Sequence, residues 1–135
     1  MSLSRWIHGR RVARWIAAAE ADLARMPLPE AVAERAAPVG PVRRETALRR
    51  LHVVAGEILV ERRAKDLCLL RAVALLSEAR RLGFDARVAC GVRKRGGAVE
   101  AHAWLVTDGR PVLDAPSTVA EYEVLTILPR GGAPA

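Results

Sequence analysis

Residues 66–92 read DLCLLRAVALLSEARRLGFDARVACGV, and the apolar period changes inside them. From Asp66 to Leu82 the spacing is helical. Leu67, Leu69, Leu70, Ala72, Val73, Leu75 and Leu76 leave almost no polar face near its start. A helix that is apolar nearly all round belongs in the middle of a core. Asp66 is placed to cap it and Gly83 to stop it. After Gly83 the period drops to two. Phe84, Ala86, Val88, Cys90 and Val92 alternate with Asp85, Arg87, Ala89 and Gly91, the pattern of a half-buried strand. A buried helix feeding straight into a strand predicts an α+β domain.

Upstream, residues 3–26 predict an amphipathic helix with Val12, Ile16, Ala19, Leu23 and Met26 on one side and Trp15 beside them. Pro27 and Pro29 end it, a short helical piece fits PEAVAERAA, and APVGPV at 37–42 is a connector. Residues 43–62 predict a further helix presenting Leu48, Leu51, Ala55, Ile58 and Leu59. Residues 1–40 are therefore expected to form a helical extension, its basic, tryptophan-bearing start packed on its own domain or a partner rather than laid on a membrane surface. Residues 41–135 form the main domain. Downstream, strands are expected at 98–107 after the turn RKRGG, at 110–115 after Asp108-Gly109, and at 122–128, completing an antiparallel meander of about four strands.

The 135 residues suit one compact unit, and 51% apolar content supplies a core. Net charge is +7, with the arginines scattered and aromatics at 4%, a poor match to a nucleic-acid surface. The two cysteines and three histidines match no zinc spacing, so neither metal nor cofactor is expected. Glu20 and Asp22 interrupt the first apolar run, and no stretch reaches membrane-spanning length. The expected setting is a reducing cytoplasm with both thiols free.

Cys68 falls in the first turn of the buried helix. Helix N-termini present unpaired N–H groups and positive potential, which favour a thiolate and can receive an oxyanion. The same residue also suits a core as a small apolar side chain. In AVEAHAWLVTDGRPVLDAP, residues 98–116, Glu100, His102, Trp104 and Val106 share one face of a strand, and Val99, Ala101, Ala103 and Leu105 share the other. The second face is the core side, so the first is expected to meet a polar cleft. A two-residue loop at Asp108-Gly109 would set Asp114 opposite Ala103, on the wrong side of the sheet. A three-residue loop, Thr107-Asp108-Gly109, sets it directly opposite His102, with Cβ atoms roughly 5 Å apart. The three-residue loop is thus expected, with Asp114 orienting the imidazole. Asp114 also reads as a turn residue before Pro116. A nucleophile on a helix N-terminus, a base on a strand and an orienter on the next strand is the order of cysteine proteases and transglutaminase-like enzymes.

The cysteine-opened apolar helix, the G-x-D-A-R-V-x-x-G-V strand and A-H-A-W ahead of the D-G turn together resemble the leader peptidases of lasso-peptide biosynthesis, in their stand-alone, split form. The resemblance covers about residues 50–128. It implies a transglutaminase-like, papain-like fold, with the cysteine helix packed on a small antiparallel sheet. It implies Cys-His-Asp proteolysis that frees a ribosomally made precursor from its leader, with Cys68 as nucleophile, His102 as base and then acid, and Asp114 as orienter. It further implies a small leader-recognition protein as companion and an ATP-dependent cyclase acting afterwards.

Asparagine and glutamine are absent from the chain, so no amide side chain can serve as oxyanion donor or third member. Backbone N–H groups at Cys68 are expected to serve, with Trp104 or Lys65 as a second donor. Cys90 is expected to face the core, and His52 to be structural or exposed. Two other functions remain open: acyl transfer to an amine by the same triad, and peptide binding without catalysis on the same fold.

Overall fold

The structure, a computed structural model, describes residues 2–64 and 66–130. Five helices and four strands follow one another: α1 (Leu3–Arg25), α2 (Leu28–Ala33), α3 (Glu45–Glu61), α4 (Leu67–Arg81), β1 (Arg87–Arg95), β2 (Ala98–Thr107), β3 (Arg110–Pro111), α5 (Pro116–Val119) and β4 (Glu123–Leu128). This is the α+β class expected from the change of period. The strands form one antiparallel sheet in the order β3-β2-β1-β4.

The helical stripes find each other. Val12, Ile16 and Ala19 of α1, Leu48, Val54 and Leu59 of α3, and Val73, Leu75 and Leu76 of α4 all lie at 1% exposure or less. They belong to one buried cluster with Val88, Ala103, Leu105 and Leu128 from one face of the sheet. Packing a nearly all-round apolar helix between two amphipathic ones and a sheet removes most of its surface from water, the largest favourable term in folding. Gly83 ends α4 with φ +95°, and its Cα faces the chain at Val42, where a Cβ would fall 2.2 Å from a carbonyl oxygen. Only glycine fits both the backbone angle and the space.

Several strand expectations need correction. β1 begins at Arg87 rather than Phe84, because Arg87 already pairs with Val106 and residues beyond Thr107 belong to the turn. Phe84 and Ala86 are still buried, which is why the alternation reads through them. Residues 93–95 continue β1, and the reversal is made by Gly96-Gly97 alone, both with positive φ. The strand expected over 110–115 is only Arg110–Pro111. It is an edge strand, which tolerates the missing proline N–H. The last strand does not continue a meander: β4 returns along β1, on the far side of the sheet from β3. The short helix α5, started by Pro116, makes that return.

Candidate active site

Cys68 is the second residue of α4 and is half-buried, its thiol free. Asp66 occupies the N-cap position, but in the left-handed region at φ 54°, and its side chain makes no capping bond. The capping role expected for it is therefore not taken up. The consequence is chemical: no Asp66 carboxylate consumes the amide N–H groups at the start of α4, which stay available to an anion beside the sulfur. The first intrahelical bond runs from Leu70 N–H to the Asp66 carbonyl, at 3.1 Å.

His102 Nε2 lies 2.7 Å from Asp114 Oδ2, both side chains about one-seventh exposed. The carboxylate accepts from Nε2–H, which leaves the Nδ1 lone pair as the basic site. The pair is reached by a different route from the one expected. The hairpin closes on two residues, Asp108 at φ 54° and Gly109 at φ 73°, with Thr107 opposite Arg110 and Val106 opposite Pro111. That register, continued, would put Asp114 opposite Ala103 and away from His102. The ladder instead stops: after Val112 N–H donates to the Leu105 carbonyl, the chain bends through 112–114. The bend takes Asp114 out of the pleat, and its carboxylate is no longer bound to one face.

The imidazole rests in an aromatic group. Its centroid is 5.5 Å from the Trp104 ring, near-parallel, and 5.2 Å from the ring of Tyr122. Gly91 lies across the ladder from His102, and a Cβ there would approach Trp104 Cη2 and Tyr122 Cβ to 3.1 Å. Tyr122, the chain's one tyrosine, falls in the segment expected as strand at 122–128 but precedes β4, and its ring lies against the histidine. Arg93 stacks over its outer face and pairs with Glu100 and Glu121. The His/Trp face of the sheet is thus less polar than expected, since Ala89, Trp104 and Val106 form a second small core with Val119, Tyr122 and Ile127.

Cys68 and Asp114 line one narrow cleft, together with Trp104, His52 and Arg71. Among the described residues no hydrogen bond joins the Cys68 sulfur to His102, and His102 does not line that cleft. The structure therefore brings Asp114 to both: to His102 by a bond, to Cys68 by a shared cleft. Trp104 is only 3% exposed, so its ring is packing as much as lining. Lys65 lies outside the described residues. Cys90 is on the helix-facing side of β1 against the main core, where burial, with a smaller contribution from Cys68, pushes its thiol up and keeps it protonated.

His52 is where the sequence was least informative. It sits on α3 but faces the cleft, half-buried. Burial, reinforced by Arg71 and Arg49 and opposed by Asp114, pushes its pKa down to about 4. Nothing in the α3 pattern signals this, because the cleft groups come from other elements. No cluster of three or more potential metal ligands occurs among the described residues.

A family model described as the transglutaminase-like superfamily matches residues 4–126. No curated protein and no solved structure matches.

Proposed function

The chain belongs to the transglutaminase-like superfamily, which includes cysteine proteases and transglutaminases, and on that premise we propose that it is a Cys-His-Asp peptidase. The observation that carries the reading is the 2.7 Å bond between His102 and Asp114, in a site where Asp114 shares a cleft with the helix-opening Cys68. In the proposed reaction Nδ1 of His102 takes the thiol proton, and the Cys68 sulfur attacks the scissile carbonyl carbon. The oxyanion is met by amide N–H groups at the start of α4. His102 then gives its proton to the leaving amine as the C–N bond breaks. Water, deprotonated by His102, hydrolyses the thioester and releases the carboxylate. Asp114 holds the ring through Nε2 and stabilises the imidazolium throughout. The proposed step requires Cys68 and His102 to come together when substrate binds, as catalytic contacts commonly tighten only in the substrate complex.

The substrate we propose is the leader region of a lasso-peptide precursor, delivered by a small leader-recognition protein, with an ATP-dependent cyclase using the freed N-terminus. The support is in the sequence: the cysteine-opened helix, the Gly83–Val92 pattern and A-H-A-W ahead of Asp108-Gly109. Mass spectrometry of the products, with precursor and companion present, tests it. A leader ending in a free carboxylate is expected. A new amide on that carbonyl would mean acyl transfer, and an intact precursor with an unreactive Cys68 would mean a binding protein.

A further inference from the structure

Arg71 lies one turn after Cys68 on α4, half-buried, and lines the same cleft. Its Nη1 is seated against α3 at Gly56, 3.4 Å from where a Cβ would stand, one turn from His52. The guanidinium thus lies in contact range of the α3 backbone, on the same helix as His52. Among the described residues Arg71 forms no hydrogen bond or ion pair with a carboxylate, whereas Arg80 and Arg93, similarly sheltered, are fully engaged.

The charges in the cleft explain why an uncommitted cation would be kept there. A working thiolate on Cys68 and the Asp114 carboxylate in the cleft, with an imidazolium on His102 bonded to that carboxylate from outside it, sum to one negative charge. An uncompensated charge in such a space is costly, and the system relieves it by holding a proton. A fixed guanidinium brings the sum to zero without a proton. We propose that Arg71 is the fourth charged member of the site, a positioning residue whose cation balances the thiolate and the carboxylate. His52, the other basic group in the cleft, stays neutral in this arrangement, because burial first and the neighbouring Arg71 and Arg49 next disfavour its charged form. The groups facing it are Arg71 from α4, Asp114 from the segment after β3, and Arg49 on its own helix. The inference rests on the proposed role of Cys68.

The test is the pH dependence of Cys68 alkylation by iodoacetamide in a Cys90→Ala background, with side-chain NMR titration of His52 alongside. Removing a cation makes every nearby group hold its proton more tightly. In Arg71→Met the onset of alkylation is expected to move up by about half a pH unit or more, and His52 to titrate higher. Arg71→Lys should restore both. If the Met variant fails to fold, Arg71→Gln carries the same comparison. An onset unchanged in either neutral variant overturns the proposal, even if His52 moves. A wild-type Cys68 no more reactive than an ordinary thiol removes the proposed catalysis itself, and the inference with it.

Discussion

His102 carries the most information per residue. Its place in an apolar strand, two positions before Trp104, was legible, and so was its pairing with Asp114. The route was not: the expected three-residue loop is a two-residue loop, and a bend at 112–114 restores the contact. Alternation alone cannot announce where a ladder ends. Tyr122, Arg71 and His52 were not legible as site residues, because each acts across an element boundary. Replacing Cys68 or His102 with alanine is expected to abolish cleavage while circular dichroism stays native. Asp114→Ala should lower kcat by about 100- to 10,000-fold, leaving residual turnover measurable by mass spectrometry. His52 yields a stability prediction. Its folded pKa of about 4 lies below its ordinary value of 6.5, so the stability from burying it neutral is full above pH 6.5 and lost as pH falls toward 4. The loss is about 2–3 kcal/mol. In His52→Leu, urea denaturation should show that part of the acid dependence gone.

The three long helices, α1, α3 and α4, were legible to within about two residues because their apolar stripes are long, whereas α2 stops at Ala33, four residues short of the expected PEAVAERAA. The hairpin of β1 and β2 was legible as a pair and β3 was legible in its start at Arg110, but not the early end of β3, nor α5. Two residues of strand and four of helix hold too little pattern to read. The element whose integrity matters most is α4, since it holds both Cys68 and the centre of the core. Leu75, fully buried, should cost about 2–5 kcal/mol when cut to alanine, measured by chemical denaturation. Gly83→Val combines a left-handed φ with a clash on the Val42 carbonyl, and should cost about 2 kcal/mol or more in the same experiment.

At the scale of the molecule the main buried cluster runs from α1 through α3 and α4 to one face of the sheet, with the smaller Trp104 cluster on the other. The first helix contributes Val12, Ile16 and Ala19 with no exposed surface, so it is structural stock for the helix that bears the cysteine. Removing residues 2–26 would uncover the α3 and α4 faces beneath. The truncated chain is expected to lose its cooperative thermal transition, and a sharp transition with native circular dichroism would show that the remainder folds alone. No helix among the described residues is long and apolar enough to cross a membrane.

Covalent catalysis by Cys68 is the claim on which the functional reading turns, and rapid-quench intact-mass spectrometry of the protein mixed with precursor and companion reads it. Wild-type protein should gain, within the first turnover, the mass of a leader acyl group, mapped by digestion to Cys68 and removed by hydroxylamine. Cleavage that proceeds at full rate in Cys68→Ala, with no thioester on the wild-type chain, would contradict it.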